Sequence, residues 1–189
     1  MANWATTSYR IEGKAEHLSE LNGIIMDFTS GKRSVLEKNA SNDWEGNVLL
    51  AIGEDTADHY VRGFIQSCEL EDNVLYVEAE EAWGATDFRH LLEHHYDGMK
   101  VYYIVEEPGM EVYATNDEDG KYFAYRFVVD MCVNGSDKME YFSSHEDALT
   151  YVAKCLGLES FSKDDLDKWN ESHEDDDSYI YIHEFDIVD

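Results

Sequence analysis

Residues 62–80, RGFIQSCELEDNVLYVEAE, decide how the rest of the chain is read. Arg62 to Glu69 (RGFIQSCE) and Val74 to Glu80 (VLYVEAE) each alternate apolar with polar side chains, and Asp72-Asn73 between them tolerate a tight turn. Two alternating runs around such a turn predict an antiparallel β-hairpin, with Phe64 and its alternates on one core face and Leu75 and Val77 on the other. Upstream, Trp4 through Tyr9 and Ile11 alternate as a first strand until Gly13. Leu18, Leu21, Ile24, Ile25 and Phe28 then recur at helical spacing over residues 15–28. Downstream, Phe88, Leu91, Leu92 and Tyr96 lie on one helical stripe, and Lys100 to Val105 (KVYYIV) returns as a strand. The short apolar run Val48 to Ile52, led in by Trp44 and Gly46, fits a short strand or the edge of the core.

The order strand, helix, two strands, helix, strand predicts an α+β fold with the split βαβ antiparallel sheet of ferredoxin-like domains. A second hairpin is expected from Glu111–Ala114 to Tyr122–Val133, turned by Asn116 to Gly120 and extending that sheet. Beyond Met139 to Phe142, Ser144 can cap a helix containing Ala148, Leu149, Val152 and Leu156, closed by Gly157. A shorter helix is expected from Lys163 to about Asn170. The acidic run Glu174 to Asp177 then feeds a terminal strand, Tyr179 to Val188, whose exposed edge would be protected by charge. The expected organisation is a domain at 1–133 and an acidic helix-strand extension at 134–189 packed on the same sheet system. No repeat is visible, and the single proline, Pro108, marks no linker.

Charge bounds the function. Against 42 Asp and Glu stand 14 Lys and Arg, a formal net charge of -28. A folded chain of this length has a radius of gyration of roughly 16 Å, and duplex DNA carries the same charge over about 48 Å. Such a field repels polyanions, which argues against direct binding to nucleic acid or to an anionic membrane. It equally favours a basic protein surface as partner and a monomeric state. With 43% hydrophobic and 13% aromatic residues the chain can still bury a core. The N-terminus lacks a signal-peptide pattern and no apolar run approaches a membrane span, so a cytoplasmic protein is expected. Cys68, Cys132 and Cys155 are odd in number and lack CxxC spacing, as reduced core thiols would be.

Candidate chemistry is sparse. His90 and His94 sit one helical turn apart, like half of a metal face, but HExxH is absent and a solvated polar face accounts for them. Asn116 to Gly120 lacks the carboxylate spacing of a calcium loop. Glu80-Glu81 and Glu106-Glu107 lie at strand ends, where acid–base pairs can sit, yet no nucleophile elbow, P-loop or dinucleotide fingerprint accompanies them. The expectation is a non-enzymatic chain without metal or cofactor.

Several short motifs carry a resemblance: Ala2-Asn3-Trp4, Arg62-Gly63, Glu80-Glu81-Ala82-Trp83 and Glu106-Glu107-Pro108-Gly109. Over residues 1–130 the chain resembles the YubB-like ferredoxin-like proteins of bacteriophages, plasmids and integrated elements. Members commonly begin with Asn-Trp-Cys, whereas Ala5 stands here in place of the cysteine. The resemblance implies a fold and a mobile-element setting, and no mechanism.

Together these readings predict an acidic accessory protein that binds a basic, nucleic-acid-binding protein, with DNA-like charge as the means. The expected contact residues are Glu80, Glu81, Glu106, Glu107, Asp117, Glu118, Asp119, Glu174, Asp175, Asp176 and Asp177. The alternatives are an interaction module whose acidity serves solubility, and a carboxylate-dependent hydrolase.

Overall fold

Alternation and tight turns build the larger of two β-sheets. A computed structural model describes residues 3–173 and 178–188, and its fold is α+β. The chain forms two units, one from the described N-terminal residues through Asp117 together with Val188, the other Glu118–Ile187. No described helix is long and apolar enough to cross a membrane.

The first unit comprises β1 (Trp4–Glu12), α1 (Ala15–Thr29), α2 (Glu45–Ile52), β2 (Gly63–Glu71), β3 (Val74–Ala82), α3 (Phe88–His95), β4 (Lys100–Glu107) and β5 (Val112–Thr115). Its strands lie in the order β2-β3-β1-β4-β5, each antiparallel to its neighbours. Asp72 and Asn73 turn the expected hairpin at φ 46° and 63°, the left-handed pair that matches strand twist. One face buries Tyr9, Ile11, Leu75, Val77 and Tyr103 together with Leu18, Leu21, Ile25 and Phe28 of α1 and Leu92 of α3. Each such aliphatic or aromatic side chain contributes about 1.5–3 kcal/mol of hydrophobic stabilisation. Helix α1 stops where Gly31 turns left-handed at φ 72°.

Two readings change here. Phe64 is half-buried and pairs with Glu80 on the face away from the helices, while Ile65 enters the core. A bulge between Ile65 and Ser67 shifts the alternation, so Cys68 and Leu70 again align with Val77 and Leu75. Residues 48–52 belong to α2, which Gly53 ends in a left-handed cap at φ 96°.

The second unit contains β6 (Phe127–Val133), β7 (Ser136–Phe142), α4 (His145–Leu156), α5 (Lys163–Ser172) and β8 (Tyr179–Glu184). Its three-stranded sheet has the order β7-β6-β8. Val129, Met131 and Ile180 on one face pack with Ala148 and Val152 of α4 and with Phe161. Ser144 caps α4 by accepting the Asp147 N–H at 3.1 Å, and Ser162 with Asp165 forms a capping box on α5.

The expected hairpin from Glu111–Ala114 to Tyr122–Val133 is therefore corrected. Its first arm pairs with β4, and its second pairs with β7 and β8 in the other sheet. Asn116 leaves the turn it was assigned to: its side chain accepts the Tyr103 N–H and donates to the Val101 carbonyl, both at 2.8 Å. The true hairpin is closed by Asn134-Gly135, at φ 52° and 72°, with Val133 opposite Ser136. Within residues 134–189, β7 and β8 belong with β6 to the three-stranded sheet, and the short strand Asp186–Ile187 follows β5 in the larger one.

Candidate functional site

Three of the sequence motifs meet at one end of β1. Trp4 pairs with Ala82, the Trp83 N–H donates to the Asn3 carbonyl at 2.9 Å, and the Ala82 N–H donates to the Arg62 carbonyl at 3.0 Å. The Arg62 guanidinium lies 5.9 Å from the Trp4 ring, and Trp4 meets Phe64 at 5.4 Å. Tyr60 Oη donates to the Ala82 carbonyl at 2.7 Å. Trp4 and Trp83 are exposed, while the half-buried Trp44 donates its indole N–H to the Val61 carbonyl at 3.1 Å. Trp83 holds φ 67°, a left-handed geometry that costs a residue with a Cβ roughly 1–2 kcal/mol.

Beneath this end lies a pair of carboxyl groups. Adjacent strand residues face opposite ways, so Glu80 points outward and Glu81 turns toward the helices, where it is fully buried. Glu45, in the first turn of α2, is fully buried too. Tyr9 Oη donates to Glu81 Oε1 at 2.6 Å, and the Thr86 N–H reaches the same oxygen at 3.1 Å. Thr86 Oγ1 lies 2.8 Å from Glu81 Oε1 and 2.9 Å from Glu45 Oε2, and it accepts the Phe88 N–H at 3.2 Å.

One hydroxyl has one proton to give. Thr86 cannot donate to both acids, and Glu45 Oε1 and Glu81 Oε2 are buried with no other donor. A proton kept on Glu45 and shared with Glu81 removes the deficit. Burial first, then the Glu81 charge and the hydrogen bond to it, hold the Glu45 carboxyl well above the ordinary carboxylate range. Burial and both glutamates likewise raise the Tyr9 phenol well above its usual value.

Gly63 completes the arrangement, because a Cβ there would fall on the Glu45 carboxyl group. Gly63→Ala is expected to cost about 1–3 kcal/mol through overpacking. Urea unfolding measures this cost, and an unchanged midpoint would mean that Glu45 does not rest on Gly63.

The structure sorts the expected contact residues. Glu81, Glu107 at 6% exposure and Asp117 at 1% are buried, so they leave the set able to meet a partner. Glu107 Oε1 instead accepts the Gly109 N–H at 3.2 Å and caps the short turn Pro108–Met110. Asp117 donates its N–H to Thr115 Oγ1 at 3.1 Å. Glu80 is exposed and Glu106 half-buried, and both pair with Thr6 from opposite sides. Two strand spacings separate them, about 10 Å. Glu118 and Asp119 are exposed in the second unit. Glu174, Asp175, Asp176 and Asp177 lie outside the described residues.

On that outward face of the larger sheet, register aligns Glu12, Glu69, Glu71, Glu78, Glu80 and Glu106 against the cations Arg10 and Lys100. Arg10 is held at 3.0 Å from Glu78, whose other oxygen bonds Ser8, and stacks 4.7 Å from the Tyr76 ring. His94 and His95 both turn Nδ1 to Glu54, at 3.3 and 3.1 Å, and His90 is exposed. Among the described residues no three metal-binding side chains converge. Cys68, Cys132 and Cys155 form no disulfide with one another, and burial pushes the Cys68 thiol up to about 12.

Comparison with protein-family models, curated proteins and solved structures found no match to the chain.

Proposed function

We propose that the chain is an acidic protein ligand for a basic, nucleic-acid-binding protein, which it engages through the outward face of the larger sheet. The carrying observation is the register that gathers Glu69, Glu71, Glu78, Glu80 and Glu106 on one face beside the half-buried Phe64 and exposed Trp4. Carboxylates attract the cationic surface over distance and set its orientation, and the rings supply apolar contact once it arrives. Acids on a rigid sheet then occupy positions that phosphates would take on the partner. The order β2-β3-β1-β4, with helices between β1 and β2 and between β3 and β4, supports a ferredoxin-like reading. The meeting of the Asn3-Trp4, Arg62-Gly63 and Glu80–Trp83 segments supports kinship with the YubB-like proteins of mobile elements, acting in the cytoplasm.

The test is capture from cell lysate at low and high salt, followed by elution with duplex DNA. Nucleic-acid-binding proteins should be retained at low salt, released by DNA, and lost when Glu69, Glu71 and Glu80 are all changed to Gln. Retention by the triple variant equal to that of the parent chain, or insensitivity to DNA, would sink the proposal.

A further inference from the structure

The second unit presents a different surface. Register places Asp130 opposite both Met139 and Tyr181, and Cys132 opposite both Asp137 and Tyr179, so these side chains share one face of the three-stranded sheet. Tyr141 lies on the same face, two residues beyond Met139. The opposite face is the one that buries Val129, Met131 and Ile180 with α4.

Met139, Tyr141 and Tyr181 remain 45%, 38% and 48% exposed. The rings of Tyr179 and Tyr181 stack at 5.3 Å and 24°. Two carboxylates sit among them: Tyr179 Oη donates to Asp130 Oδ1 at 3.4 Å, and after burial the charges of Asp130 and Asp137 raise the Tyr179 phenol above its usual value. Lys138, between Asp137 and Met139, alternates to the other face, where Nζ lies 3.4 Å from Cys155 Sγ. Among the described residues neither Asp130 nor Asp137 forms an ion pair.

We propose that this face docks an extended, arginine-bearing segment of a protein partner. A guanidinium is planar, so it stacks on a tyrosine while its N–H fork reaches a neighbouring carboxylate. Tyr179 and Tyr181 repeat along β8 at about 6.8 Å, the spacing of alternate side chains in an extended peptide. Arginine at every second position of such a segment therefore meets successive rings. The flexible thioether of Met139 adapts to the stem of the incoming side chain. Nucleic-acid bases also stack on aromatic platforms, but a chain of net charge -28 opposes their backbone. This surface lies in the other unit and uses other residues than the acidic face proposed above, so either can fail alone.

The experiment is an NMR titration of the full chain with a short peptide of alternating Arg and Gly. A Lys-Gly peptide of equal length and a single-stranded oligonucleotide are run in parallel. The Arg peptide should shift the signals of Met139, Tyr179 and Tyr181. Tyr181→Ala and Asp130→Asn should each weaken its binding about three- to fivefold, and the Lys peptide should bind more weakly by a similar factor. Tyr181→Phe keeps the ring and should bind as the parent does, as should the triple variant at Glu69, Glu71 and Glu80. No shifts at these residues, undiminished affinity in Tyr181→Ala, equal affinity for the Lys peptide, or tighter binding of the oligonucleotide at the same signals would overturn the assignment.

Discussion

Glu81→Ala is expected to destabilise the chain by about 3–5 kcal/mol, a large share of the ~5–15 kcal/mol that holds a domain folded. Oxygen Oε1 alone receives the Tyr9 hydroxyl and the Thr86 N–H and contacts the Thr86 hydroxyl. Removing it leaves those groups buried without that acceptor, and each orphaned buried donor costs about 1–3 kcal/mol. Glu81→Gln separates polarity from bulk. Its amide oxygen can still accept from Tyr9 and Thr86, while its NH2 faces Glu45, so most of the loss should be recovered. Chemical denaturation of both variants is the measurement, and equal losses for Ala and Gln would show that side-chain volume, not acceptance, is what matters.

Glu45→Gln should change how stability depends on pH. The folded chain holds the Glu45 proton well above the ordinary carboxylate value of 4.5, so the folded state binds more protons than the unfolded state over the interval between the two. Stability from this group is full below about 4.5 and is lost as pH rises toward the folded value. Glutamine does not titrate and can present an N–H to Glu81. The variant's melting temperature should therefore fall less between pH 5 and pH 8 than the parent's, and should exceed it at the upper end. The repulsion among the surface acids is common to both proteins and cancels in the difference. Parallel curves would mean that Glu45 is ionised in the fold.

The first unit was legible because its strands alternate and its turns are marked. Asp72-Asn73 announced the β2–β3 hairpin, and the stripe Phe88, Leu91, Leu92, Tyr96 announced α3. The run Val48 to Ile52 was ambiguous because five apolar residues suit either element, although Gly53 just beyond it is a helix stop. The second hairpin lies elsewhere because Asn134-Gly135, and not the acidic stretch Asn116 to Gly120, supplies the left-handed pair that a two-residue turn needs. For the carboxyl site, part of the signal was present: Val77, Ala79 and Glu81 share one alternation, so a core strand must carry an acid inward. Its partners could not be read. Glu45, Tyr9 and Thr86 come from three other segments, and nothing in their spacing announces that they meet.

The position of β1 at the middle of its sheet bears on how the chain is made. Thr6 pairs with Glu80 on one side and Glu106 on the other. At about 5–20 residues per second, the ribosome needs roughly 5–20 s after Thr6 to produce that second neighbour. Through that interval the earliest strand has an apolar flank and an unmatched backbone edge, which is when a nascent chain is open to chaperone capture or to pairing with another copy. The β6–β7 hairpin carries no such delay, since Val133 and Ser136 meet across two residues. During synthesis, the hazard therefore falls on the first unit's opening strand, and slower translation would lengthen it.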